Sequence, residues 1–84
     1  MGSHTEHNLS ETEIHPDEWE FLWYKQGRAG SFREALYNLY FKGDIQNQAK
    51  LEGAFPELWV LRRFATEGGY WEDLQTRWRK INKA

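Results

Sequence analysis

The sequence has 84 residues, a formal net charge of −2 and no cysteine. This length fits one domain, and the lack of cysteine excludes disulfides, thiol catalysis and thiolate metal sites. No apolar run approaches the ~20 residues of a membrane span, and no cleavable signal pattern opens the chain. We therefore expect a small, soluble, cytoplasmic domain without a membrane association, held together by packing alone.

The first fifteen residues differ in composition from the rest. They contain three glutamates, three histidines and few apolar side chains. Such a composition buries too little apolar surface to offset the entropy lost on ordering. We predict a disordered tail over residues 1–15, in which residues 2–4 resemble a cloning remnant, and a single helical domain over residues 16–84.

The first predicted helix begins at Pro16, because proline at a first helical position leaves no backbone N–H unpaired. Trp19, Leu22 and Trp23 follow at the i, i+3, i+4 spacing of one helical face. That spacing predicts that these three side chains face the core. Gly27 is expected to end the helix.

The second and third predicted helices span residues 31–53. Ser31 and Glu34 have the spacing of a capping box. The predicted core stripe of the second helix consists of Phe32, Ala35, Leu36, Leu39 and Tyr40. Gly43 is expected to end that helix, and Asp44 to cap a third, weaker one that ends at Gly53.

Two further helices are predicted after Pro56, separated by Gly68 and Gly69. Their expected core stripes are Leu58, Leu61 and Ala65 in the fourth helix, and Trp71, Leu74, Trp78 and Ile81 in the fifth. No segment alternates apolar and polar residues for long enough to predict a sheet. The sequence therefore predicts an all-α fold, a compact bundle of four to five short helices.

Catalytic chemistry has little support in the sequence. The histidines are His4, His7 and His15, all within the predicted tail, where no rigid shell would hold them against a substrate. No zinc-protease, P-loop or calcium-loop spacing is present. Acidic pairs such as residues 17–18 and 72–73 lie in first helical turns, where the helix dipole favours carboxylates. We predict that the protein is not an enzyme and has no catalytic residues, cofactor or metal.

The aromatic content suggests a binding surface. Five Trp, four Tyr and five Phe residues are many for the core of so short a chain. Several lie off the predicted core faces, and exposed rings beside arginines are typical of protein-binding hot spots. The predicted partner-binding residues are Tyr24, Tyr37, Phe41, Trp59, Arg62 and Arg63. We expect a protein-interaction module that binds a foreign protein or associates with itself.

The basic end of the chain predicts an alternative function. Residues 1–20 hold six acids and no Lys or Arg, whereas all eleven basic residues lie in residues 21–84. The candidate nucleic-acid contacts are Arg77, Trp78, Arg79, Lys80 and Lys83. A basic cluster with an interleaved ring suits phosphate contacts and base stacking, although the same cluster can be a solvated helix end in this acidic chain.

An ordered series of helix-forming residues lies between residues 31 and 57. It consists of Ser31, Phe32, Ala35, Leu36, Leu39, Lys42, Asp44, Asn47, Leu51, Phe55, Pro56 and Glu57. The series resembles a run in small α-helical proteins of unknown activity that bacteriophages and mobile elements encode, and the likeness covers about residues 19–73. The resemblance implies a phage or mobile-element origin, a bacterial host cytoplasm and, by class, the binding of a host or viral protein. Gly43 departs from the pattern, in which an alanine is expected.

Overall fold

A computed structural model describes residues 13–83 of the chain. This part contains five α-helices and one short 3₁₀ helix, and it has no strand. The elements are α1 (Pro16–Lys25), α2 (Ser31–Lys42), α3 (Ile45–Ala54), the 3₁₀ helix (Pro56–Leu58), α4 (Trp59–Thr66) and α5 (Tyr70–Lys83). The predicted all-α class is confirmed. Residues 1–12, on which the expected tail, the cloning remnant, His4 and His7 fall, lie outside the described residues.

Helix α1 begins in a capping box that the sequence analysis missed. The His15 side chain accepts a hydrogen bond from the Asp17 backbone N–H at 3.0 Å, and Glu18 accepts one from the His15 backbone N–H at 3.0 Å. Ile14 packs on the core, and the Glu13 carbonyl accepts a hydrogen bond from Arg77. The prediction of a tail through residue 15 is therefore wrong at residues 13–15, which are part of the folded structure.

The start of α2 differs from its predicted form. Gly30 is the N-cap at a φ of 85°, and no side chain caps the helix. Ser31 is the first helical residue, so it cannot form the expected capping box with Glu34. The predicted cap of α3 is confirmed, because Asp44 Oδ1 accepts a hydrogen bond from the Asn47 backbone N–H at 2.9 Å.

Helices α2 and α3 form an antiparallel hairpin. Near its open end, the rings of Phe32 and Phe55 lie 6.1 Å apart. Further along, Gln48 donates a hydrogen bond to the Tyr40 carbonyl at 3.0 Å. The hairpin therefore keeps the two helices side by side over most of their length.

The core is built mainly from residues of α1, α2, α4 and α5. The buried apolar side chains are Phe21, Leu22, Leu36, Tyr37, Tyr40, Leu58, Val60, Leu61, Tyr70 and Leu74. Phe21 is central among them, since its ring contacts those of Tyr37, Phe64 and Trp71. Aromatic contacts of this kind supply much of the packing that an unstapled small domain needs.

Helix α1 is rotated relative to its predicted orientation. Phe21 is fully buried, whereas Trp23, expected in the core, is 43% exposed. Trp19 is half-buried. A shift of the buried face by one residue corresponds to about 100° on an α-helix. The prediction that the Trp19–Leu22–Trp23 face is the core face is thus correct only for Leu22.

The other helices show related differences. On α2 the expected stripe is correct for Leu36 and Tyr40, which are buried. It is wrong for Phe32, Ala35 and Leu39, which are exposed, because Tyr37 completes the buried face. The predicted core stripes of α4 and α5 are correct only in part. Ala65 is exposed, Leu74 is buried as predicted, and Trp71, Trp78 and Ile81 are half-buried.

A buried ion pair joins the two ends of the described chain. Arg77 Nη1 and Nη2 each donate to one oxygen of Glu18 at 3.0 Å, and the Tyr70 hydroxyl donates to the same carboxylate. Arg77 also binds Asp73 Oδ2 at 3.0 Å and the Glu13 carbonyl at 2.9 Å. Both charges are therefore satisfied on several sides, which a buried pair requires.

The environment of Glu18 sets its protonation. Burial raises the pKa of the carboxyl, but hydrogen bonds from Arg77, Tyr70 and the His15 backbone outweigh this effect and hold the pKa below its usual value of 4.5. A pKa lowered on folding means that Glu18 stabilises the fold above the unfolded-state pKa. This stabilisation is lost as the pH falls through the folded-state pKa.

We expect Glu18→Gln to lower the free energy of unfolding by about 3–5 kcal/mol at pH 7, because the substitution leaves the Arg77 charge buried without its carboxylate. Urea denaturation followed by circular dichroism measures this. Glu72→Gln is the matched control: Glu72 is exposed, and a change within about 0.5 kcal/mol is expected. The difference in free energy of unfolding between wild type and Glu18→Gln should become smaller as the pH falls below 4.5, because the Glu18 carboxylate is then progressively protonated. Equal costs for both variants would contradict a central role of this pair.

Two buried tyrosines allow a second test. Among residues 13–83, no group is placed to hydrogen-bond with the Tyr37 hydroxyl, and burial raises the pKa of Tyr37 to about 12. Tyr37→Phe should therefore leave stability unchanged or raise it slightly. Tyr70→Phe should cost about 1.5–3 kcal/mol, because Glu18 loses a hydrogen-bond donor. Thermal and urea unfolding compare the two variants, and the reverse order of stability would refute this assignment.

Candidate protein-interaction surface

Five large apolar side chains are exposed in the described part of the chain. They are Trp23 (43%), Phe32 (64%), Leu39 (54%), Phe41 (39%) and Ile45 (83%). Single exposed apolar residues are ordinary on protein surfaces, whereas grouped ones mark interaction sites. Trp23, Phe32 and Leu39 line concave regions of the surface, so these three define the candidate site.

Pro16, Trp19, Trp23 and Phe32 form what we call the aromatic surface. The two tryptophan rings lie 6.1 Å apart with an interplanar angle of 31°. Together with Pro16 and Glu20 they line a concavity of about 490 Å³. A second concavity of about 460 Å³ extends past Trp23 to the 29–33 turn and Phe32. Because both concavities share Glu20 and Trp23, the aromatic surface is continuous.

Arg33 stiffens the wall of this surface. Its guanidinium pairs with Glu20 of α1 at 3.1 Å and with Glu57 of the 3₁₀ helix at 2.9 Å. These two ion pairs connect three elements around α2. The backbone beneath the aromatic surface is therefore held in place before any partner binds, which lowers the entropy lost on association.

A third concavity, the lysine groove, lies between α2 and α3. Its lining residues are Leu39, Lys42, Gly43, Asn47, Lys50 and Leu51, and its volume is about 350 Å³. Leu39 is mostly exposed, whereas Leu51 is half-buried and packs on the core. The groove therefore combines an apolar floor with two ammonium groups.

An apolar stripe of α2 connects the two regions. Phe32, Ala35 and Leu39 are spaced at i, i+3 and i+7 and are all exposed, so they lie along one side of the helix. Phe32 belongs to the aromatic surface and Leu39 to the lysine groove. The candidate site is thus one extended surface with an aromatic end and a basic end.

The predicted tyrosine contacts are not free for a partner. Tyr37 is fully buried, so its assignment as a partner-binding residue is wrong. Burial follows from the rotation of α2, which places Tyr37 5.0 Å from the half-buried Tyr24 ring. The Tyr24 hydroxyl donates to Asn38. Tyr24 therefore supports the wall of the core and has only its edge at the surface.

Trp59 and the two predicted arginines also make structural contacts. The half-buried Trp59 donates its indole N–H to Asp17 Oδ2 at 2.7 Å. Arg62 is exposed but pairs with Glu52 at 3.0 Å. The half-buried Arg63 pairs with Glu67 at 2.9 Å and lies 4.3 Å from the Tyr70 ring centre. Phe41, 39% exposed, packs against Phe64, so it remains accessible only in part.

The structure alters the predicted nucleic-acid contacts. Arg77 is wrong as a phosphate contact, because it is 5% exposed and committed to Glu18. Trp78 is half-buried, whereas Arg79 and Lys80 are exposed. The side chain of Lys83 lies outside the described residues. The basic end of α5 thus presents fewer available cations than its sequence indicates.

Trp19, Trp23, Phe32 and Leu39 are the site residues that the sequence analysis missed, because their helical spacing assigned them to the core. On α1 the buried face includes Glu18 and Phe21, and on α2 it includes Leu36, Tyr37 and Tyr40, so these four site residues lie nearer the surface. One local signal was available: His15 lies three residues before Glu18 at a helix start, the spacing of a capping box.

Metal binding and membrane insertion find no support in the described residues. Within residues 13–83, no three His, Cys, Asp or Glu side chains are grouped so that they could hold a metal ion. In the same range, no helix has both the length and the apolar character needed to cross a bilayer.

Comparison of the sequence with protein-family models and with curated proteins, and of the fold with solved structures, finds no significant match. The function is therefore inferred from the geometry of the described residues.

Proposed function

We propose that this protein is a protein–protein interaction module that binds its partner through the aromatic surface. The observation that carries the proposal is the exposure of Trp23 and Phe32 at one shared concavity. Phe41 is also exposed (39%), but it packs against Phe64 and is not among the residues that line the aromatic surface. Two large rings left accessible on a small domain are typical of an interface rather than of core packing.

The chemistry of the aromatic surface suits a hot spot. Tryptophan dominates the binding energy of many interfaces because it buries a large area with few rotatable bonds. Trp19 and Trp23 offer two such side chains, and Arg33 is held beside them by its ion pairs. A partner that seats an apolar side chain between Trp23 and Phe32 would therefore gain affinity at a small entropic cost.

The partner that we propose is a host or viral protein, or a second copy of the chain. The resemblance to small phage-encoded proteins favours the first, in the cytoplasm of a bacterial host. Nucleic-acid binding has less support, since Arg77 is engaged with Glu18 and phosphate neutralisation needs available cations.

We expect the double variant Trp23→Ala/Phe32→Ala to weaken partner capture by at least about 30-fold, the size of a hot-spot loss. The measurement is affinity capture from a bacterial lysate, together with sedimentation velocity for self-association. Ile45→Ala is the matched control, because Ile45 is 83% exposed but is not among the residues that line the aromatic surface.

Both variants should remain folded under the conditions of the capture experiment, which circular dichroism checks, because Trp23, Phe32 and Ile45 lie outside the buried core. A wild-type protein that is strictly monomeric and captures nothing would overturn the proposed function. Undiminished capture by the Trp23→Ala/Phe32→Ala variant would place the interface elsewhere.

A further inference from the structure

We infer that the lysine groove is a docking site for an acidic amphipathic helix of a partner protein. The inference rests on the proposed function and names the chemistry of the partner. It depends on three features: two lysines without ion pairs, an open apolar floor, and a length that matches two helical turns.

Lys42 and Lys50 stand out by their charge environment. Arg33, Arg62, Arg63 and Arg77 form ion pairs with carboxylates, and Lys25 lies over the rings of two aromatic side chains. Within residues 13–83, Lys42 and Lys50 form no ion pair, yet both line the same groove. Two unneutralised cations at one groove attract a carboxylate-bearing partner and repel a basic one.

Gly43 lines the groove at the point where a side chain would crowd Asn47. Gly43 has φ −79° and ψ 154°, which any side chain can adopt, so the backbone does not require glycine there. A Cβ at this position would lie 3.3 Å from the Asn47 Cβ, tighter than ordinary packing. Glycine at position 43 therefore lets the end of α2 and the first turn of α3 approach closely at this edge of the groove.

The length of the surface favours a helical partner. From Phe32 to Leu39 the stripe advances seven residues, or about 10.5 Å along α2. A partner helix with apolar side chains at i, i+3 or i+4, and i+7 would match that span. The described residues contain no strand and so offer no sheet edge to which an extended peptide could add. Leu39 and Leu51, which form the floor of the groove, favour contact with apolar side chains of a partner. A nucleic-acid phosphate offers no such apolar group.

The probe is a fluorescent 15-residue helical peptide with leucine at i, i+4 and i+7 and glutamates beside them. The matched peptide carries lysine in place of every glutamate. We expect the acidic peptide to bind at least about 10-fold more tightly in fluorescence anisotropy, and more weakly as salt is raised. Backbone amide shifts in nuclear magnetic resonance spectra should cluster in residues 32–51, which include the stripe of α2 and the lysine groove. Equal binding of the two peptides, no binding, or shifts elsewhere would overturn the inference.

Lys42→Glu/Lys50→Glu should weaken binding of the acidic peptide by about 2- to 30-fold, the range for the loss of two partly exposed ion pairs. Arg28→Glu/Arg79→Glu is the control, since it makes the same charge change at two other exposed positions and should leave binding unchanged. If the wild type self-associates and Lys42→Glu/Lys50→Glu abolishes this self-association, the groove binds a second copy of the chain, and the inference fails. Displacement of the probe by a peptide of residues 1–12 would likewise assign the groove to this chain's own N-terminal segment.

The two proposals can fail separately. Trp23→Ala/Phe32→Ala tests whether the aromatic surface binds a partner at all. Lys42→Glu/Lys50→Glu leaves those rings in place and tests only the charge of the partner. Loss of capture by the first variant with no effect of the second would retain the proposed function and reject the acidic partner.

Discussion

The arrangement of the helices depends on the buried pair of Glu18 and Arg77. Both side chains are withdrawn from water, and each charge is compensated chiefly by the other, held at 3.0 Å. The pair fixes the rotation of α1 about its own axis and joins the start of the described chain to its last helix. Phe21 then faces the core, and Trp23 is left at the surface. The exposed aromatic surface is thus a geometric consequence of a buried charge.

The helices and their limits could be predicted from the sequence, but their inward faces could not. Pro16, Asp44 and the Gly68–Gly69 pair mark helix ends by local backbone chemistry, which a sequence displays directly. The inward face depends on contacts over long separations. Helical periodicity assigns charged residues to the solvent-facing side of a helix. It therefore does not predict that Glu18 is buried against Arg77, 59 residues away. The same limitation misassigned Phe32 and Leu39 to the core.

The positions of the aromatic rings in the fold show how so short a chain accommodates fourteen of them. Phe21, Tyr37, Tyr40 and Tyr70 fill the core that disulfides would otherwise reinforce. Trp23 and Phe32 lie outside this buried cluster and leave much of their rings exposed. Arg33 holds the surface beneath these two rings through Glu20 and Glu57. Aromatic side chains thus fill the core on one face of α1 and α2 and are exposed on another face of the same helices.

The rotation of α1 and α2 is the central claim, and hydroxyl-radical footprinting of the wild-type protein with mass spectrometry tests it most directly. We expect rapid oxidation of Trp23, Phe32 and Leu39 and protection of Phe21 and Tyr37, when the oxidation rate of each side chain is normalised to its rate in the unfolded chain. The opposite pattern, with Phe21 and Tyr37 oxidised and Trp23 and Phe32 protected, would contradict it. Such a result would restore the faces that simple periodicity predicts and remove the aromatic surface.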